Sequence, residues 1–308
     1  MNKKWFPIFL LVLLACIWGS SFILMKRGMI ALDGSALFSD KQVASLRMFI
    51  ASIALFPFFL NSVKKIKSLK VFLFLSVVGV CGNFIPAFLF TYAETEIASA
   101  YAGLLNSFTP IFTLILGTLL FRQKLKWNQV FGVLIAFVGV GFLLLFGQPE
   151  IQNKAHFLPT LAIILATFLY GISLNTIKHK LSHLKSMEIT SLSFGILFLP
   201  SLLAVFSNEA FTVIKNHPKA YEGLFFISIL SLFGTAFALI IFNRLIALSN
   251  TIFASSVTFL IPIVALFIGI SVGEKVSWVQ ILSIFIVIVG ILFANYFELL
   301  KEKFLKRK

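Results

Sequence analysis

The sequence predicts an all-α integral membrane protein of ten transmembrane helices, arranged as two inverted five-helix repeats with both termini in the cytoplasm. Three observations predict it: an apolar composition, ten apolar runs of membrane-spanning length, and a chain that resembles itself when shifted by about half its length. Of the 308 residues, 59% are hydrophobic and 12% charged, and the mean hydropathy of +1.02 lies far outside the balance of a soluble domain. A hydrocarbon core of roughly 30 Å takes about 20 apolar residues per helix. Runs of that kind fall at 6–25, 43–60, 71–91, 97–120, 129–147, 157–177, 188–206, 222–243, 252–272 and 278–297.

The first run follows Asn2-Lys3-Lys4 and resembles a signal peptide as far as Ala15-Cys16. It continues through Trp18 to Met25 and has a counterpart at 157–177, so it is read as a retained first span. The second run holds Arg47 about a turn inside, placed to reach the outer interface or to anchor a neighbouring loop. The third and fourth are separated only by Thr91 to Glu96 and must form a tight hairpin. The third carries Asn83 and Pro86, the fourth Tyr101, Asn106 and Pro110. The sixth contributes Tyr170, Ser173 and Asn175; the eighth ends in Asn243-Arg244; the ninth holds Thr258 and Pro262. With the N-terminus inside, the basic clusters 64–70, 122–126, 178–185 and 301–308 all lie on the cytoplasmic side. The outer side keeps Lys26, Arg27, Lys41, Lys154, Lys215, Lys219 and Lys275, as the positive-inside rule requires.

Shifting the chain by 152 residues sets Pro7 on Pro159, Gly19 on Gly171, Ser21 on Ser173, Lys26 on Lys178, Gly82 on Gly234, Pro110 on Pro262 and Gly117 on Gly269, with Trp18 on Tyr170. After a one-residue gap, Trp127, Gln129 and Gly139 fall on Trp278, Gln280 and Gly290. Matches of Pro, Gly, Trp and Lys carry information that matches of Leu do not. The repeats are 1–150 and 151–308, the second ending in a basic tail that faces anionic lipid. Five spans per half is an odd number, so the second half enters the membrane from the opposite side. Such inverted repeats are typical of secondary transporters.

Pro110 removes the donor to the Asn106 carbonyl and Pro262 the donor to that of Thr258. Each is either a packing kink satisfied by neighbouring helices or a hinge beside a polar cavity. Trp18 with Ser21, and Tyr170 with Ser173 and Asn175, place an aromatic ring beside polar groups on one helix face. They suit a small amphipathic solute, or Gly19 and Gly171 bring helices together and the serines bond the contact. Asn83 needs a partner inside a span, another helix or a substrate. The acidic residues and histidines lie in loops or at helix ends, and Cys16 and Cys81 have no metal-ligand spacing, so no metal, cofactor, buried acid relay or catalytic acid–base pair is expected. The chain is not expected to be an enzyme. The formal charge of +15 is scattered, not gathered into a nucleic-acid-binding patch.

With Trp18-Gly19-Ser20-Ser21-Phe22 in the first span, Arg47 in the second, Pro110 and Pro262 in the fourth and ninth, and Gly273-Glu274-Lys275 before the tenth, the chain resembles the EamA-type drug/metabolite transporter superfamily over nearly its whole length. The resemblance implies a multi-pass carrier of the bacterial inner membrane, commonly an exporter of amino acids or related metabolites. It also implies a central cavity lined by the first, third, fourth, sixth, eighth and ninth helices, with the fifth and tenth peripheral. That cavity would be met by Trp18, Ser21, Asn83, Asn106, Tyr170, Asn175 and Thr258; Tyr101 and Ser173 complete the candidate contacts. Two residues depart from the pattern: Gln123 stands where the second half has Glu274, and Glu94 replaces an apolar residue.

The expected function is alternating-access transport, by export, of a small metabolite such as an amino acid or derivative, with that solute and the bilayer as partners. The alternatives are a non-transporting membrane subunit or lipid-handling partner, and a phosphorylated-sugar or nucleotide-sugar exchanger. The last needs several cavity cations, and the sequence offers only Arg47 and Arg244 nearby.

Overall fold

The structure, a computed structural model, describes residues 5–97, 99–124, 126–147, 157–271 and 278–305. Helix α1 (Phe6–Met29) starts with Pro7 in its first turn, where a missing N–H costs nothing. It ends where Ile30 pairs with Ala36 across a turn in which Gly34 takes φ 87°, a left-handed conformation suited to glycine. Helix α2 (Asp40–Ser62) opens on a capping box in which Ser39 and Gln42 satisfy each other's backbone N–H groups.

The third long helix is continuous from Leu69 to Glu96 but not uniform. Helix α3 (Leu69–Gly79) passes through a π-helical segment, Val80–Phe84, into α4 (Ile85–Glu96). Then come α5 (Ser99–Asn106), α6 (Thr109–Phe121) and α7 (Trp127–Gly147). The second half follows the same order: α8 (Phe157–Lys180), α9 (Ser186–Ser207), a short α10 (Ala210–Asn216), and α11 (Ala220–Ser231). A π segment at Leu232–Phe237 leads into α12 (Ala238–Leu248), followed by α13 (Thr251–Ser255), α14 (Val257–Ser271) and α15 (Trp278–Leu305).

Among the described residues, six helices are long and apolar enough to cross a bilayer: Phe6–Met29, Asp40–Lys65, Leu69–Glu96, Phe157–Lys180, Ser186–Ser207 and Ala220–Leu248. Shorter apolar helices, Thr109–Phe121, Trp127–Phe142, Thr251–Val264 and Ile281–Ala294, occupy the remaining expected runs. The fourth expected run is broken, not merely kinked. Pro110 stands in the first turn of α6, after an interruption at Ser107-Phe108, because the chain restarts a helix where proline is tolerated. Pro262 lies inside α14, as expected of a kinked helix. Large apolar side chains such as Leu119, Leu199, Phe206, Phe225 and Phe285 face outward, as they must where lipid is the solvent.

The two halves contact each other reciprocally. Helix α1 packs on α11, α12 and α14, while α8 packs on α3, α4 and α6. A Cβ on Gly19 would press on Val264, and one on Gly171 on the backbone of Phe112, residues that correspond at the shift of 152. Helices α7 and α15 pair at the closest approach: a Cβ on Gly132 would run into the backbone of Ala294, and one on Gly290 into that of Ala136. Gly139 faces Val287, so residue numbers rise along one helix as they fall along the other. The pair is antiparallel.

Candidate functional site

Between the halves lies a cavity of about 1100 Å³, counting the part open to solvent. The serine that recurs in α1 and α8 helps form it from both sides. Ser21 Oγ lies 2.8 Å from where a Cβ on Gly234 would stand, and Ser173 meets Gly82 more closely still. Each glycine sits within a π-helical segment, and such segments loosen the backbone ladder and expose carbonyls beside functional sites. The Trp18 indole N–H donates to the Gly234 carbonyl at 3.1 Å, so α1 is tied to the π segment of the other half.

The lining is amphipathic. Trp18 meets Phe242 edge-on with centroids 4.9 Å apart, and Phe90 stacks with Tyr170 at 6.0 Å. Between them stand amides and hydroxyls. Asn83 donates to the Val78 carbonyl at 3.2 Å, and Asn243 to Thr190 Oγ1 at 2.8 Å. The carbonyl that Pro262 frees on Thr258 accepts from Ser107 Oγ at 3.3 Å, and that of Asn106 accepts from Thr109 Oγ1 at 2.7 Å. Both carbonyls are therefore satisfied by hydroxyls at the cavity edge, that of Thr258 from the other half and that of Asn106 from its own.

Of the residues expected from sequence, Trp18, Ser21, Asn83, Asn106, Tyr170, Ser173 and Thr258 line this space. Asn175 does not. It is fully buried between α8 and α6, where its amide donates to the carbonyls of Thr113 and Gly171, both at 2.9 Å, and so acts as helix-to-helix packing. The side chain of Tyr101 and the stretch Gly273-Glu274-Lys275 lie outside the described residues. Pro110 and Pro262 flank the cavity without lining it. The expected break at Thr91 to Glu96 is instead helical: α4 runs through it, and Glu94 lies buried in its last turn, where one carboxylate oxygen accepts from Ser99 Oγ at 2.8 Å and the other has no hydrogen-bond partner among the described residues.

Two helices absent from the expected lining contribute to it: α9 supplies Thr190, Ser193 and Phe194, and α2 supplies Met48 and Arg47. Arg47 does not reach an outer interface or a loop. It turns inward, and its Nε donates to Thr235 Oγ1 at 2.7 Å. The available signal was a cation inside a span, expensive unless it faces a polar interior. Neither α7 nor α15 lines the cavity among the described residues.

A family model described as the EamA-like transporter family matches the chain twice, over residues 5–145 and 158–296. The chain belongs to the EamA-like transporter family. It is thus a multi-pass membrane protein of a transporter family, and the double match follows the two runs of helices described above. Within this family setting, the chain is 26% identical over 279 residues to a protein of Chlamydia muridarum named as an S-adenosylmethionine/S-adenosylhomocysteine transporter, covering 87% of this chain and 85% of that one. A Chlamydia trachomatis protein of the same name is 25% identical over 87% of this chain and 82% of its own. An Archaeoglobus fulgidus protein named only as an uncharacterized transporter is 30% identical over 154 residues, 49% of this chain, and the chain spans about half of that relative's length (50%). A solved crystal structure superposes with a TM-score of 0.69 at 14% identity, over 94% of this chain and 96% of the other. The EamA-like chain shares that fold.

Proposed function

We propose that this protein is an alternating-access secondary carrier that exports a small, partly aromatic metabolite, an amino acid or a derivative of one, across the bacterial inner membrane. Its ten spans form two inverted five-helix repeats, 1–150 and 151–308, with both termini cytoplasmic. Trp18, Ser21, Asn83, Asn106, Tyr170, Ser173 and Thr258 contact the solute, and Pro110 and Pro262 act as hinges. The observation that carries the reading is the reciprocal pairing of Ser21 with Gly234 and Ser173 with Gly82 around one cavity. Two halves that meet through equivalent contacts can exchange roles and open the cavity first to one side and then to the other. The antiparallel pairing of α7 with α15 supports the inversion independently.

The test is counterflow in liposomes reconstituted with the full chain and preloaded with single amino acids and their derivatives. Accumulation of at least one such solute is expected, and Trp18→Ala and Tyr170→Ala should each lower it without altering the melting profile. Folded protein that moves none of them, or native rates in both variants, would overturn the reading.

A second reading comes from the chlamydial relatives. S-adenosylmethionine joins an adenine ring to an amino acid, and the aromatic pairs Trp18–Phe242 and Phe90–Tyr170 offer it stacking faces. Exchange of S-adenosylmethionine for S-adenosylhomocysteine in the same liposomes distinguishes it.

A further inference from the structure

Resting on the carrier reading above, we propose that Arg47 is the anchor for a carboxylate on the transported solute, which makes the cavity selective for monoanionic carboxylates and zwitterions over the matching amides. Among the described lining residues Arg47 is the only charged side chain, and none carries a carboxylate. No carboxylate among the described residues forms an ion pair with it. A guanidinium inside a membrane protein is strongly disfavoured unless an opposite charge or a set of hydrogen bonds compensates it. Here the compensation is incomplete: Nε donates to Thr235 Oγ1 at 2.7 Å, and Nη1 meets only the Met25 sulfur, at 3.9 Å, a weak acceptor. Nη2 meets no hydrogen-bond acceptor among the described residues.

The free donors define the ligand. Arginine presents a planar fork matched to a carboxylate, and a neutral amide cannot take the same charge-assisted pair. One guanidinium compensates one negative charge; a phosphate dianion would want further cations, which the described lining lacks. The rest of the solute rests on Trp18–Phe242 and Phe90–Tyr170, aromatic surfaces in the same cavity. Thr235, which shares Arg47 with the solute, belongs to the π segment Leu232–Phe237, and a shift of 152 places it on Asn83. Occupancy at Arg47 thereby acts on the loosened backbone of the second half.

The probes are 3-phenylpropionate with 3-phenylpropanamide, and L-phenylalanine with L-phenylalaninamide, pairs alike in size and unlike in charge. Binding to the detergent-purified full chain is read as ligand-dependent thermal stabilisation for the native protein, Arg47→Lys and Arg47→Gln. The native protein should bind each acid about tenfold or more tightly than its amide. Arg47→Gln should erase that ratio while leaving amide affinity within about threefold, and Arg47→Lys should retain part of it. Equal affinity for acid and amide in the native protein overturns the proposal without needing any variant, and so does a ratio that survives Arg47→Gln. Binding of the amides alone overturns it while leaving the carrier reading intact. Binding of none of the four overturns it as well, and the carrier reading is then decided by the broader counterflow screen.

Discussion

The hydroxyl of Ser173 on α8 stands so close to Gly82 that it occupies the space a Cβ there would need. Ser21 repeats the relationship with Gly234, its Oγ 2.8 Å from where a Cβ would stand. Close backbone approach thus places a serine against a π segment twice, and both meetings fall on the cavity wall. Gly82→Ala should destabilise the protein by about 1–3 kcal/mol through overpacking, seen as a lowered melting temperature in detergent. Adding Ser173→Gly should restore most of the loss, because the clashing atoms are then gone. Additive losses in the double variant would show that the two residues do not meet.

The α7–α15 contact supports a second prediction, because its obstacles are backbone atoms that no rotamer change can move. Gly132→Leu and Gly290→Leu should each cost about 3 kcal/mol or more of stability, whereas Leu134→Ala, at an outward-facing position, should cost little. Since neither helix lines the cavity, the residual folded protein should keep its ligand affinities. A change in affinity at native-like melting temperature would contradict this division.

Asn175 and Asn83 are both amides within spans, and the structure assigns them different work. Asn175→Ala removes two buried hydrogen bonds and should lower stability by about 1–3 kcal/mol with little effect on solute selectivity. Asn83→Ala, in the cavity wall, should alter selectivity more than melting temperature. Counterflow competition measured beside thermal melts separates the two.

At one end of the molecule Asp33 pairs with Lys219, so the turn after α1 is tied to the start of α11. Hydrogen bonds from Lys219 and then Ser35 hold the Asp33 carboxyl well below the ordinary carboxylate range. A depressed native pKa stabilises the fold above the unfolded value of about 4, and that contribution fades as pH falls below it towards the native value. The melting temperature difference between the native protein and Asp33→Asn should therefore be constant from about pH 5 to 8 and shrink below about pH 4. Both groups are exposed, so the difference should be small and weakened by salt. A difference that grew on acidification would refute the assignment.

Much of the architecture was legible in the sequence, and the exceptions have physical causes. Apolar runs located the helices because burial in lipid demands length and apolarity of each span separately. The recurrence of Pro, Gly and Lys exposed the internal similarity, since these residues are not interchangeable filler. The break at Ser107-Phe108 was not legible: a proline reads alike inside a kinked helix and at the start of a new one. The π segments were marked only by Gly82 and Gly234, which also read as ordinary packing glycines.

An apolar, helical chain of two similar halves, and most of the polar residues of the cavity, can be read from the residues in order, because composition and recurrence are properties of the chain alone. Which way each helix turns is set by packing. A membrane helix is apolar towards lipid and towards its neighbours alike, so no gradient around its axis marks the cavity face. That is why Asn175 lies outside the wall and Arg47 within it. Rotation about a helix axis is fixed by what packs against it: the α6 carbonyl that receives Asn175, and the π segment whose Thr235 receives Arg47.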